Sequence, residues 1–171
     1  MLISLKKVID SVGSICSLIM ILMVINVFYN VIARYFFNDV SIGMQELEWH
    51  LFAAMFMFGI GYTFKEDGHV RVDIFYDNMS EKNQAIINII GGLFFALPIT
   101  IIILYYGVDF SHEAYSMNED SPDPGGLPYR WIVRAIIPFS SFFLILCIVY
   151  VTLNNFNILK NSFKNHQGLL K

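Results

Sequence analysis

Asn26, Asn30 and Arg34 stand four residues apart in an otherwise apolar stretch. On a helix each step of four advances a side chain by about 40°, so the three share one face. Polar groups in such a setting bond to a neighbouring helix, in this chain or another, or line a polar path, of which one stripe supplies one wall. Glu46, Glu48 and His50 open a second apolar stretch. Glu46 and His50 share a face, whereas Glu48 lies about 200° from Glu46 and must look elsewhere. His112 and Glu113, at the far end of a third stretch, are candidates to join Glu46 and His50 in a metal or proton site, although the second His of an HExxH motif is lacking. Haem held between two imidazoles has the same single option, the His50/His112 pair, because His69 and His166 fall on the other side of the chain's apolar stretches. Cys16 and Cys147 lie in separate apolar stretches with no CxxC or Cys/His spacing and read as small apolar fillers. No catalytic, cofactor or metal site is expected in this chain.

Two further clusters carry charge. Lys65-Glu66-Asp67-Gly68-His69-Val70-Arg71-Val72-Asp73 interleaves charge with valine, which suits a membrane-surface segment with an ion-pair network; Gly68 alone makes no phosphate cradle. Arg130 and Arg134 flank Trp131 at the start of a fourth apolar stretch and suit interfacial anchoring with pairing to nearby acids, or docking with a partner.

The elements that must position these residues follow from composition. Of 171 residues, 56% are hydrophobic and 15% are charged, against about 25% charged in a soluble domain. The apolar residues fall in four blocks, about 12–33, 45–64, 85–106 and 131–153, each long enough for a hydrocarbon layer of about 30 Å. The expectation is one all-α membrane domain over residues 1–171 with four transmembrane helices. The first block is too long for a signal peptide and lacks a cleavage site, so it reads as a retained helix. Ser41 and Ser80 are expected N-caps, and Gly68 is placed to end an extension of the second helix. Lys6, Lys7, Lys65, Arg71, Lys82, Lys160, Lys164 and Lys171 on one side outweigh Arg34, Arg130 and Arg134 on the other, which predicts N-in/C-in. The segment between the third and fourth helices, with Glu113, Glu119, Asp120 and Asp123 among prolines and glycines, reads as irregular, solvated and outside. Without a basic patch and with a net charge of −3, nucleic acid is excluded as a partner.

Taken in order, Ala33-Arg34-Tyr35, Glu46-Leu47 with Leu51-Phe52, Gly59 and Gly61, and above all His69-Val70-Arg71-Val72-Asp73 resemble the DctQ-type small membrane subunit of tripartite ATP-independent periplasmic (TRAP) transporters. The similarity extends over nearly the whole chain through length, four spans and loop order, with Pro128 through Pro138 the looser part.

The resemblance implies a heteromeric bacterial inner-membrane complex. Its other members are a large multi-spanning subunit that binds substrate and sodium and a periplasmic binding protein that delivers an organic acid, of the sialic acid or C4-dicarboxylate class. Uptake is driven by ion gradients, and sodium ions belong to the large subunit. The small subunit is then a non-catalytic scaffold in contact with membrane lipids. Arg34, Glu46 and Glu48 are its candidate outer or helix-end contacts, His69, Arg71 and Asp73 its inner ones, and Arg130 and Arg134 candidates for the outer docking surface. Asn26 and Asn30 form a helix-packing stripe. Arg34→Ala and Asp73→Ala are expected to weaken complex recovery or transport. The rival reading is an autonomous membrane protein, either a haem subunit using His50 and His112 or a small channel lined by Asn26 and Asn30.

Overall fold

Long runs of Ile, Leu, Met, Phe and Ala fold as helices because a helix satisfies its own backbone where no water is available. The computed structural model describes residues 2–68 and 76–168, with side chains through 162, and among these residues the regular structure is entirely helical. His69, Arg71 and Asp73 lie outside the described residues. The helices are α1 (Leu2–Phe37), α2 (Ile42–Lys65), α3 (Glu81–Ser116) and α4 (Trp131–Gly168).

By length and composition, α1, α3 and the Trp131–Ser162 part of α4 are long and apolar enough to cross a membrane. The fourth expected span, on α2, falls short of that mark: Glu46, Glu48, His50 and Lys65 dilute its 24 residues. Large apolar side chains such as Phe28, Ile25, Phe94, Phe95, Ile102 and Phe139 are exposed all round the bundle. Helices that are apolar on every face need a lipid surround, so this is a membrane protein.

α4 is the central helix. Of the most apolar window of each, 33% is buried in α4 against 11% in α1 and 17% in α3. It packs on α2 along one side and on α3 along the other, and α1 lies mainly on α2. α1 reaches α4 near its own start, where Ile9 closes a small core with Phe143 and Cys147, bordered by Phe58 and Tyr62. Asp10 meets Lys65 at one end of the α1–α2 pair and Asn26 meets Met44 toward the other, so the two run antiparallel. Gly92 faces Thr152 while Gly107 faces Pro138, so α3 and α4 are antiparallel too. Gly61 against Phe143 and Glu46 against Leu127 make α2 and α4 parallel neighbours. The start of α1 and the end of α4 therefore share one end of the bundle, and residues 38–41 and 117–130 share the other.

Local chemistry explains the helix ends. Ser41 caps α2, its Oγ accepting from the Met44 N–H at 3.3 Å, whereas Ser80 holds the N-cap position of α3 without a side-chain bond. At the end of α2 the left-handed residue is Asp67 (φ 61°), one earlier than the expected Gly68; the Gly68 N–H reaches back to the Thr63 carbonyl at 3.0 Å. The same closure ends α3, with Asn118 at φ 46° and the Glu119 N–H on the Ala114 carbonyl at 3.0 Å. An Asp or Asn can take that conformation because its short side chain bonds locally. Within α3, residues Gly91–Ala96 form a π-turn in which the Leu97 N–H bonds five residues back to Gly92. Pro98 follows and has no N–H of its own. In α4, Pro138 interrupts the ladder, and the Ser140 and Ser141 hydroxyls both donate to the Ile137 carbonyl, at 3.0 and 2.8 Å.

Candidate functional site

Polar contacts gather at the two ends of the bundle. At the end holding residues 38–41 and 117–130, Glu46 projects from the first turns of α2 into the 117–130 segment. Its carboxylate accepts from the Ser121 hydroxyl and from the Leu127 N–H, the latter at 2.6 Å. The Ser121 N–H donates to the Leu127 carbonyl at 3.2 Å, closing the segment on itself. Gly126 makes this approach possible, since a Cβ there would stand 2.3 Å from Ser121 Oγ and 2.8 Å from Glu46 Oε2. The segment is irregular as its composition predicts, but it is pinned to α2 rather than simply solvated.

Glu119 gathers the two arginines: Arg134 donates to it at 2.6 Å, and the Arg130 Nε lies 3.6 Å away. The Arg134 guanidinium also stacks 4.1 Å over Phe110 of α3, and Tyr115 meets Trp131 edge to face. Together these contacts tie α3, the segment and α4 into one unit. The Asn26 amide donates to the Met44 carbonyl at 2.9 Å, and the Asn30 amide donates to Glu48 at 3.3 Å. The asparagine stripe therefore faces α2 of the same chain. Asn26 is buried, and its Oδ1 has no partner among the described residues. Arg34 is exposed near the end of α1.

The other end carries contacts that residue spacing did not single out. The Lys65 side chain is 8% exposed; its ammonium bonds Asp10 of α1 at 2.7 Å and also Glu66, and stands 5.5 Å from the centre of the Tyr62 ring. Burial works against its charge, but the bonds to Asp10 and Glu66 outweigh burial and hold its pKa above the usual lysine value. Between α3 and α4, Asn88 donates to the Tyr76 hydroxyl at 2.8 Å and to Asn155 at 3.3 Å, while Gln84 donates to the Tyr76 carbonyl at 2.9 Å. Asp10 as the lone acid in the first apolar helix, and asparagines at 88 and 155 in apolar surroundings, were the available signals.

Among the described residues, cavities lie on either side of α4. One, of about 420 Å³, is lined by Glu46, His50, Ser121, Asp123 and Arg130 over Ala53 and Val133. The other, of about 490 Å³, opens between α3 and α4 and is lined by His112, Tyr115, Trp131 and Phe139 among others. His50 and His112 thus face different cavities, and the pairing that the metal and haem readings required is not made. Among the described residues no group of three or more His, Cys, Asp or Glu side chains is placed to hold a metal ion.

The profile of the family described as tripartite ATP-independent periplasmic transporters, DctQ component, matches residues 23–157. The chain belongs to this DctQ family. Two relatives from Haemophilus influenzae, both provisionally named TRAP transporter small permease protein, are similar to it. One is 30% identical over 130 residues, covering 76% of this chain and 81% of the relative; the other is 25% identical over 130 residues, covering 75% and 77%. The matched range in this DctQ chain contains Asn26, Asn30, Arg34, Glu46, Glu48, Arg130 and Arg134. Membership makes the protein a component of a transporter, a family that works in association with other TRAP components and is not known for enzymatic activity.

Proposed function

We propose that this DctQ chain is a non-catalytic scaffold of a TRAP transporter in the bacterial inner membrane. It holds a large, multi-spanning transport subunit in place while that subunit takes up an organic acid, of the sialic acid or C4-dicarboxylate class, with sodium. A periplasmic binding protein delivers the acid. The observation that carries this reading is where the polar side chains of the helices go: Asn26, Asn30, Lys65 and Asn88 each bond a neighbouring helix or connection of the same chain. Such bonds make a stiff body, and a moving transport domain needs a stationary frame. Any substrate contacts then belong to the other subunits.

All four helices cross the bilayer on this reading. α2 has 24 residues, which at 1.5 Å each is about 36 Å, longer than the hydrocarbon layer of about 30 Å. It runs back along α1 from Met44 to Lys65, so if α1 crosses, α2 does as well. The lysine-rich end is cytoplasmic (N-in/C-in), and the Glu46-pinned segment faces the periplasm. The exposed Arg34, with Glu48, meets the large subunit near the outer surface, and His69, Arg71 and Asp73 meet it at the inner surface.

The test is uptake in cells lacking this chain, measured with labelled sialic acid and labelled C4-dicarboxylates under an imposed sodium gradient. Loss of uptake of one acid, restored by the wild-type chain and weakly by Arg34→Ala, is the expected outcome. Full uptake without the chain would remove the scaffold role.

A further inference from the structure

The cavity beside Glu46 has walls of both charges. Glu46 and Asp123 contribute carboxylates, Arg130 a guanidinium and His50 an imidazole, while Ala53 and Val133 form an apolar floor. Its volume of about 420 Å³ falls in the range of roughly 300–1,000 Å³ usual for small-molecule sites. Arg130 has an incomplete ion pair: its shared acid, Glu119, bonds Arg134 at 2.6 Å but stands 3.6 Å from Arg130, whose side chain is 41% exposed, and Glu46 in the same cavity wall is the other acid that feels its charge. The Asp123 carboxylate enters no hydrogen bond or ion pair among the described residues; the backbone of Asp123 makes the loop contacts.

Position narrows the occupant. Trp49 lines the same cavity and is 77% exposed, and an indole with one apolar and one polar edge rests at the level of lipid headgroups. Ala53 of α2 and Val133 of α4 set apolar side chains beside the polar ones. A simple anion would meet two carboxylates there, and a simple cation would meet Arg130. A zwitterion with an apolar tail matches every wall. The Asp123 carboxylate is a free acceptor, while that of Glu46, already bonded by Ser121 and Leu127, keeps lone pairs for a further donor; a primary ammonium supplies N–H groups and a quaternary one has none.

We infer that this cavity binds one zwitterionic phospholipid of the phosphatidylethanolamine class. Its ammonium lies toward Asp123 and Glu46, its phosphate toward Arg130 with His50 beside it, and an acyl chain runs over Ala53 and Val133. The inference rests on the membrane reading of this end of the bundle and is independent of which transport subunit the chain serves.

The test uses the full chain in lipid vesicles. The sequence has two tryptophans, so Trp131→Phe leaves Trp49 as the only indole. Its fluorescence is quenched with dibrominated phosphatidylcholine, the remaining lipid being either phosphatidylethanolamine or phosphatidylglycerol. Phosphatidylethanolamine should protect Trp49 several-fold better than phosphatidylglycerol. Asp123→Asn and Arg130→Gln should each abolish that preference, and Trp131, observed alone in Trp49→Phe, should show none. Equal protection by the two lipids, or a preference that survives both substitutions, overturns the inference. So does a photoreactive residue at position 53 that couples to protein rather than lipid in native membranes.

Discussion

Glu46 joins two parts of the chain 75 residues apart, and its carboxylate holds the 117–130 segment through Ser121 and Leu127. Hydrogen bonds to a charged group contribute about 1.5–3 kcal/mol each, so Glu46→Ala should free the segment without unfolding the bundle. Amide exchange at Leu127 is expected to accelerate at least about tenfold, the equivalent of about 1.4 kcal/mol, with exchange in the middle of α4 unchanged. Asp10→Ala acts at the opposite end. Breaking a buried pair costs about 3–5 kcal/mol, but Asp10 is 43% exposed and Glu66 remains as a second acceptor for Lys65. The expected loss is therefore about 1–2 kcal/mol, read as a lower unfolding temperature in detergent. Because the folded state raises the Lys65 pKa, its contribution is fully present below the ordinary lysine value of about 10.4 and fades only as pH climbs beyond that value. Unfolding temperatures of wild type and Asp10→Ala should accordingly differ by a constant amount from pH 6 to 9.

The helices approach closely where glycine permits it. A Cβ on Gly61 would stand 2.8 Å from the Phe143 ring, and one on Gly107 would stand 3.0 Å from Ile137. Overpacking of this kind costs about 1–3 kcal/mol. Gly61→Leu and Gly107→Leu should each lower the unfolding temperature, while Gly59→Ala, which meets nothing within 4 Å, should leave it unchanged or slightly higher. Hydropathy marked where the apolar helices lie because lipid selects on composition alone. It does not mark their full lengths: Asp10 continues α1 on its bond to Lys65, and Asn155 continues α4 on bonds to Asn88 and to the helix's own backbone. The four-residue spacing of Asn26 and Asn30 revealed a shared face, but not that α2 lies against it. Glu46 and His50 were legible as a pair on one face, and that pair lines one cavity. His112 lines the other cavity instead, because nothing local in the sequence records on which side of α4 the third helix packs.

Across the bundle, α1 and α3 run one way and α2 and α4 the other, with the start of α1 and the end of α4 at the same end. The proposed orientation can be read with single introduced cysteines, since Cys16 and Cys147 are both buried. In intact cells an impermeant maleimide should label Asp123→Cys and spare Lys160→Cys; the reverse pattern would invert the topology. Asp10–Lys65 and Glu46–Leu127 were beyond sequence spacing because each spans 55 or more residues and exists only once the helices have packed. Whether the chain is an obligate subunit of a larger transporter is read by tagging it, extracting it from its native membrane in mild detergent and weighing what co-elutes by mass spectrometry. A large multi-spanning membrane protein should co-elute in fixed stoichiometry and be recovered less well with Arg34→Ala. A folded chain eluting alone, with a haem absorption band or with conductance in planar bilayers, would contradict the subunit role.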